Sequence, residues 1–183
     1  MEEEKQILFA GFGGQGVLSM GQFLAYAAMS AGKHVTWVPS YGAEMRGGTA
    51  NCLVTISDEE INSPLTENPS TAVVLNRPSL DRFENRVKPD GWLVINSSMV
   101  DRDSVRKDLK VLKLPVNELA EELGNMRGAN MILLGAYLQK TGLVNVKDAL
   151  EHIGEVYRHK REEIIQKNRE AFTAGVEWAR KNW

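Results

Sequence analysis

Short apolar runs, separated by polar and glycine-rich breaks, dominate the first two thirds of the chain. Such runs, bounded by turn residues, are typical of buried strands. They predict strands at residues 7–10, 34–38, 51–56, 71–75, 92–96 and 111–114. The fourth of these runs is apolar without interruption, which favours a strand covered on both faces of a sheet.

Other segments show the spacing of an amphipathic helix. They predict helices over residues 19–30, 78–87, 117–123, 130–140, 147–157 and 160–181. Gly32 and Gly142 follow two of these segments, where glycine commonly ends a helix. Pro78 lies in the first turn of another, where proline is tolerated. Residues 101–110 are polar and predict a single helical turn.

The connection between the second and third strands decides the kind of sheet. Residues 39–50 include three glycines and leave little room for a crossover helix, which a parallel connection normally needs. These two strands are therefore expected to pair antiparallel, whereas the alternation of strands and helices elsewhere indicates parallel pairing. We predict an α/β fold of three layers, α/β/α, with a mixed, mostly parallel sheet, formed by residues 1–183 as one domain.

Composition and charge exclude several classes of function. The 183 residues carry a net charge of −2 with dispersed charges, so neither nucleic acid nor a membrane surface is an expected partner. The start of the chain is acidic, unlike a signal peptide, and predicts a cytoplasmic protein. The three histidines lie far apart without metal-ligand spacing, so no metal site is predicted.

Cys52 is the single cysteine of the chain. Neither an internal disulfide nor a cysteine-ligated iron–sulfur cluster can be built from one cysteine. Free cysteine is often buried and inert, and Cys52 lies in a predicted strand, so we expect it to be a small core residue.

A Rossmann-like glycine turn follows the first strand. Gly11, Gly13 and Gly16 satisfy the pattern G-x-G-x-x-G between a predicted strand and a predicted helix, with Gly14 and Gln15 completing the turn. In this pattern the backbone N–H groups at the start of a helix approach a phosphate closely. The turn predicts a site for a diphosphate or another anion. The alternative is that the glycines only let the helix pack against its strand.

Dinucleotide binding makes a further demand that this sequence does not meet. A nicotinamide site usually places Asp or Glu about 20 residues beyond the glycines, at the end of the second strand. Here that strand runs into Pro39 and Ser40, and the first carboxylate after it is Glu44, inside a loop. The sequence therefore favours an anion site in general over nicotinamide binding.

The loop over residues 40–48 is a second candidate site. Tyr41, Glu44 and Arg46 place a phenol, a carboxylate and a guanidinium among glycines. The planar fork of Arg46 suits a phosphate or a carboxylate of a partner. The alternative is an internal Glu44–Arg46 ion pair, which contributes little to stability when exposed. Because both loops follow the carboxyl ends of parallel strands, we predict that they are neighbours on one rim of the sheet.

The two loops together resemble a known family. GFGGQG at residues 11–16 and SYGAEMRGGTA at residues 40–50 are similar to the gamma subunit of 2-oxoacid:ferredoxin oxidoreductases, most closely the 2-oxoglutarate type. The resemblance extends over the whole chain. It implies a subunit of a complex that decarboxylates a 2-oxoacid, joins the acyl group to coenzyme A and passes electrons to ferredoxin.

The resemblance also implies where the cofactors lie. Thiamine diphosphate and iron–sulfur clusters belong to the partner alpha, beta and delta (ferredoxin-like) subunits, and this chain has neither a Gly-Asp-Gly motif nor a second cysteine. No catalytic residue is expected here. Coenzyme A is the ligand that this chain is expected to help hold. The expected contacts are Gly11, Gly13, Gly14, Gln15, Gly16, Tyr41, Glu44 and Arg46.

Two other functions remain open from the sequence. The chain fits an assembly subunit whose loops contact only the catalytic subunits, and it fits a nucleotide-binding domain of another oxidoreductase. The identity of the 2-oxoacid also stays open, because substrate contacts in the family lie largely on other subunits.

Overall fold

The computed structural model describes residues 4–41 and 48–182, except for the side chain of Tyr41. Six strands and six α-helices are formed by these residues. In chain order they are β1 (Lys5–Phe12), α1 (Val17–Ser30), β2 (His34–Tyr41), β3 (Thr49–Ser57), β4 (Thr71–Val74), α2 (Arg77–Phe83), β5 (Trp92–Asn96), β6 (Lys110–Leu114), α3 (Val116–Glu122), α4 (Ala129–Thr141), α5 (Val146–Val156) and α6 (Glu162–Asn182).

The strands form one sheet in the order β2-β3-β1-β4-β5-β6. β3 runs antiparallel to both of its neighbours, β1 and β2, while the pairs β1–β4, β4–β5 and β5–β6 are parallel. The mixed, mostly parallel sheet is therefore confirmed. The antiparallel pairing predicted from the short, glycine-rich connection between β2 and β3 is also confirmed.

Helices cover both faces of the sheet and give it three layers. Ile7 and Phe9 of β1 point into a large core formed with α1, α4, α5 and α6. Leu8 and Ala10, which alternate with them, pack with Phe83 of α2 on the opposite face. Consecutive residues of a strand point to opposite faces, so a strand covered on both sides reads as a continuous apolar run.

Small residues allow α4 and α6 to pack backbone against backbone. A Cβ atom at Gly135 would collide with the carbonyl oxygen of Phe172, and one at Gly175 would collide with that of Ile132. Both glycines lie inside helices, where glycine is otherwise unfavourable. Their presence is explained by the close approach of the two helices.

Several elements differ in length from the sequence prediction, among them β1, β2, β3 and α2. β2 continues to Tyr41, three residues beyond the predicted end at 38, and includes Pro39. β2 is an edge strand, and proline is tolerated there because it need not donate a hydrogen bond on the open side. α2 ends at Phe83 and passes into a 3₁₀ turn, Glu84–Arg86, instead of continuing as an α-helix to residue 87.

The helical turn predicted within residues 101–110 is wrong, because residues 101–109 contain no helix and Lys110 begins β6. Polar contacts join this segment to the 3₁₀ turn. The Glu84 side chain is only 3% exposed. Its carboxylate accepts hydrogen bonds from Arg102 Nη2 at 2.9 Å and from the backbone N–H of Val105 at 2.8 Å. Burial acts to raise the pKa of Glu84, but hydrogen bonds from Ser104, Arg102 and Val105 outweigh it and hold the pKa below its usual range.

The variant Glu84→Gln is expected to lower the free energy of unfolding at pH 7 by about 1–3 kcal/mol, because charged hydrogen bonds to the buried carboxylate are lost. A carboxyl group whose pKa is depressed by folding stabilises the protein above its unfolded pKa, and this stabilisation disappears as the pH falls through the folded value. The difference between wild type and variant should therefore shrink below about pH 4.

Urea unfolding of both proteins across pH 7 to 3 measures this difference. Glu122→Gln, on the exposed surface of α3, is the control and should show little difference at any pH. A Glu84→Gln effect that stays constant down to pH 3 would contradict the assignment to the ionised carboxylate.

Candidate functional site

The glycine turn between β1 and α1 requires glycine at three positions. Gly14 and Gly16 adopt left-handed backbone conformations, with φ angles of 96° and 75°, which side chains rarely tolerate. A Cβ atom at Gly11 would lie 2.7 Å from Gln15 Oε1 and 2.9 Å from Val17 Cγ2. The motif therefore has a steric basis whether or not a ligand binds.

The Gln15 side chain folds back into the protein. Its Oε1 atom accepts hydrogen bonds from the backbone N–H of Phe12 at 2.6 Å and from Asn76 Nδ2 at 3.2 Å. Asn76 is buried and caps α2, since its Oδ1 accepts a hydrogen bond from the Ser79 N–H at 2.9 Å. The side-chain amides of Gln15 and Asn76 therefore link the carboxyl ends of β1 and β4. From these ends the chain passes to opposite faces of the sheet, into α1 and α2.

A cleft of about 350 Å³ opens on the other side of the turn, towards the start of β3. The backbone N–H of Gly13 donates to the carbonyl of Gly48 at 2.9 Å and fixes the turn against the end of the second loop. The walls combine glycine backbone with the first turn of α1. The lining residues are Phe12, Gly13, Gly14, Gly16, Val17, Leu18, Ser19, Gly48, Thr49 and Ala50.

The start of α1 makes this cleft suitable for an anion. Gly16 is the N-cap, no side chain caps the helix, and the first turn contains no acidic residue. The first intrahelical bond runs from Met20 N to Gly16 O at 2.9 Å, so the N–H groups of residues 17–19 precede it. Uncapped N–H groups and the positive end of the helix dipole attract negative charge.

The structure brings the ends of the two predicted loops together. The backbone of Tyr41 lies opposite Ala50, and Ala50 lies opposite Gly11 on the adjoining strand. The prediction that the loops share one rim is therefore confirmed for these ends. Glu44, Arg46 and the side chain of Tyr41 lie outside the described residues.

Among the predicted residues of the turn, the structure separates two groups. The Gly13 N–H and the Gln15 amide oxygen are already used in hydrogen bonds within the chain. Gly14 is exposed, with no atom within 4 Å of a Cβ placed on it. Gly14 and residues 17–19 instead line the cleft.

Sequence reasoning missed two asparagines that hold the turn. Asn130 is buried at the start of α4, and its Nδ2 donates to the carbonyl of Gly16 at 3.2 Å. It is 114 residues from Gly16, so no local pattern connects them. Asn76 did leave a signal, because Asn before a helix with Pro78 in its first turn is a typical N-cap arrangement.

The structure confirms the expectation that Cys52 is a core residue. Cys52 is fully buried, its Sγ lies 3.6 Å from the carbonyl oxygen of Val17, and Gly21 packs against it. Burial raises the pKa of the thiol to about 12. The thiolate, which is the reactive form, is therefore disfavoured at neutral pH.

Among the described residues, no group of three or more His, Cys, Asp and Glu side chains is arranged to hold a metal ion. Within residues 4–41 and 48–182, no helix is long and apolar enough to cross a membrane.

Comparison with known proteins decides the family. The family described as pyruvate ferredoxin/flavodoxin oxidoreductase matches residues 6–178. The chain belongs to this family. The resemblance inferred from the two loops is thereby confirmed, and the sheet and helices described above are the fold of this family member.

Two curated relatives differ in how much of their own length this chain covers. Ketoisovalerate oxidoreductase subunit VorA of Methanothermobacter marburgensis is 40% identical over 98% of this chain, which spans only 37% of that protein. 2-Oxoglutarate synthase subunit KorC of Methanothermobacter thermautotrophicus is 36% identical, and the match covers 97% of this chain and 96% of the relative. Relatives in the family thus contain this unit either alone or within a longer chain.

Two solved structures are similar to this fold. The gamma subunit of a keto/oxoacid ferredoxin oxidoreductase from Geobacter sulfurreducens matches with a TM-score of 0.82 and 28% identity. The match covers 97% of this chain and 99% of that subunit. A 2-oxoglutarate:ferredoxin oxidoreductase from Magnetococcus marinus matches with a TM-score of 0.89 and 25% identity. The match covers all of this chain and 32% of that chain. The latter structure contains 2-oxoglutarate, coenzyme A and succinyl-CoA.

Proposed function

We propose that this chain, as one domain over residues 1–183, is the gamma subunit of a 2-oxoacid:ferredoxin oxidoreductase. The family match and the nearly full-length similarity to a 2-oxoglutarate synthase subunit support this proposal and favour 2-oxoglutarate as the substrate. The similarity to pyruvate synthase and ketoisovalerate oxidoreductase subunits makes pyruvate and 2-ketoisovalerate the substrates to compare.

Within the complex, the cleft beside the glycine turn is proposed to help hold coenzyme A. Coenzyme A carries a diphosphate and a ribose phosphate, and its thiol supplies the acceptor for the acyl group. The uncapped start of α1, opening on this cleft without an acidic residue, is the observation that carries the proposal. Gly14 and the N–H groups of residues 17–19 are the proposed donors, with Tyr41, Glu44 and Arg46 contributing from the second loop.

Gly11, Gly13, Gln15 and Gly16 have a different part in the same site. Their close contacts and hydrogen bonds shape the turn, so we propose that they position the donors. Decarboxylation and electron transfer need groups that this chain does not supply. Thiamine diphosphate and iron–sulfur clusters are therefore proposed to lie on alpha, beta and delta (ferredoxin-like) subunits, with ferredoxin as electron acceptor in the cytoplasm.

The isolated chain is expected to show no 2-oxoacid oxidation. Co-expression with its partner subunits should give a complex that reduces a viologen dye in the presence of both 2-oxoglutarate and coenzyme A. Omitting this chain should abolish the coenzyme A-dependent reaction, and pyruvate and 2-ketoisovalerate should react more slowly. Dye reduction by the pure chain, or full coenzyme A-dependent activity without it, would contradict the proposal.

A second candidate is an assembly subunit whose glycine loops contact only other subunits. The internal hydrogen bonds of Gly13 and Gln15 favour it, because they show that much of the turn is used for structure. Titration of coenzyme A into the complex separates the two. If the chain is only an assembly subunit, substitutions in the turn should change complex formation but leave the KM for coenzyme A unchanged.

A further inference from the structure

Helix α4 spans the sheet from one edge to the other. In its first turn Asn130 Nδ2 donates to the carbonyl of Gly16, beside the carboxyl end of β1. Further along the helix, the Tyr137 hydroxyl donates to Thr71 Oγ1 at 3.2 Å, at the start of β4. α4 therefore runs from the carboxyl ends of the parallel strands towards their amino ends. We call the first of these two edges, which carries the glycine turn, the carboxyl edge.

Helix α6 extends past the start of α4 on the side of the carboxyl edge. The two helices are parallel, because a Cβ atom at Gly128 would meet Ala171 and, further along both helices, Arg180 Nε donates to Gln139 Oε1 at 3.1 Å. Residues 162–170 of α6 precede these contacts and have no counterpart in α4. At 1.5 Å per residue, they add about 13 Å of helix ahead of the start of α4.

Exposed apolar side chains gather at the carboxyl edge. Four of the eight large apolar side chains that are exposed in the described part of the chain lie at or beyond it: Met99 (40% exposed), Leu123 (42%), Met126 (55%) and Ile164 (42%). We call these four side chains the apolar edge. Single exposed apolar side chains are ordinary, but a group of them on one side of a protein marks an interaction site, and methionine is enriched at interfaces.

One hydrogen bond joins the segments that carry three of these side chains. Asn125 Nδ2 donates to the Lys167 carbonyl at 3.0 Å. Leu123 and Met126 lie within two residues of Asn125, and Ile164 lies about one helical turn before Lys167. The fourth side chain follows the carboxyl end of β5. Separate parts of the chain thus bring the apolar edge together beside the projecting turns of α6.

The chemistry proposed above requires a particular partner at the carboxyl edge, and this step rests on the proposed function. Coenzyme A carries its phosphates at one end and its thiol at the other. A molecule whose phosphates lie at the glycine turn must present its thiol to an acyl group that is formed on thiamine diphosphate of another subunit. That subunit must therefore approach the edge that carries the cleft.

We propose that the apolar edge is the docking surface for the subunit that carries thiamine diphosphate, which covers these four side chains with a complementary apolar surface. Removing exposed apolar side chains from water favours association. The projecting turns of α6 form one wall of this surface, and the glycine turn lies on the same edge of the sheet. Docking here encloses the coenzyme A cleft between the two subunits.

The affinity of the full chain for the co-produced thiamine- and cluster-bearing subunits tests this surface, measured by surface plasmon resonance without coenzyme A. Met126→Ser/Ile164→Ser should raise the Kd by at least about tenfold, because two apolar contacts are lost without a change in charge. Met29→Ser/Leu65→Ser is the matched control and should bind like wild type, because it removes side chains that are 56% and 66% exposed elsewhere on the surface. Thermal melting establishes that both variants fold.

The outcomes separate the docking surface from the proposed function. If the wild-type chain does not bind those subunits, the proposed function fails and the docking surface fails with it. If wild type binds but Met126→Ser/Ile164→Ser binds equally well, or if both variants weaken binding equally, only the docking surface is overturned. It is also overturned if sedimentation shows that the isolated chain self-associates and that this variant loses only self-association, since a second copy would then be the occupant.

Discussion

Replacing Gly14 by aspartate is expected to raise the KM for coenzyme A of the assembled complex by about 10- to 100-fold. Gly14 borders the cleft at the uncapped start of α1, and its surroundings are empty. An introduced carboxylate would occupy the positive end of the helix dipole and repel a phosphate there. Loss of one hydrogen bond to a charged group costs about 1.5–3 kcal/mol of binding free energy, which corresponds to a rise in KM of about 10- to 100-fold.

Gly14→Asn is the matched control for this substitution. Asparagine has nearly the same shape as aspartate and meets the same backbone strain at the φ of 96° of this position, but it carries no charge. The KM should therefore rise much less in Gly14→Asn than in Gly14→Asp. Arg46→Ala should weaken coenzyme A binding by about 10- to 100-fold if its guanidinium contacts a phosphate.

Thermal melting and gel filtration of each complex establish that the variants fold and assemble. Wild-type KM values in assembled Gly14→Asp and Arg46→Ala complexes would refute the coenzyme A site. Equal losses in the aspartate and asparagine variants would attribute the effect to bulk or backbone strain and remove the electrostatic argument.

Replacing Gly175 by alanine is expected to lower the free energy of unfolding by about 1–3 kcal/mol or more. The added Cβ would collide with the carbonyl oxygen of Ile132 in α4. That atom belongs to the backbone of a helix, so neither a rotamer change nor a local side-chain shift can remove the collision. The whole contact between α4 and α6 would have to widen, which loosens the core that they form with the sheet.

Gly154→Ala provides the matched control, because it makes the same chemical change in another helix. A Cβ atom there would approach only Arg169 Nη2, at 2.7 Å, which is the end of a flexible side chain. Alanine has the higher helix propensity, so this variant should be neutral or more stable by up to about 1 kcal/mol. Urea denaturation measures both variants. Equal stability of Gly175→Ala and wild type would contradict the close packing of α4 and α6.

The position of the cleft changes how the glycine turn is interpreted. In open α/β sheets, ligands usually bind where the connections from neighbouring strands diverge, here between β1 and β4. The hydrogen bond between Gln15 and Asn76 spans that place. The open space lies instead towards β3, whose start adjoins the second loop. Any ligand in this cleft therefore lies beside Gly48, at the end of the second loop.

The sequence by itself determined most of the secondary structure and the mixed sheet. The spacing of apolar residues in a strand or a helix is a local property, since the pattern repeats every two residues in a strand and every 3.6 residues in a helix. The apolar stripe of the last segment predicted α6, and its residues Phe172 and Val176 are buried. The short connection with three glycines fixed the antiparallel pairing of β2 and β3, because it leaves no room for a crossover.

The tertiary structure alone decided which groups of the glycine turn form hydrogen bonds within the chain. Gln15 has a side chain suited to binding, yet Phe12 and Asn76 occupy its amide oxygen. Asn130, 114 residues away, holds the carbonyl of Gly16. Such partners are set by the order of strands in the sheet, and the periodicity of one segment carries no information about which distant segment lies beside it.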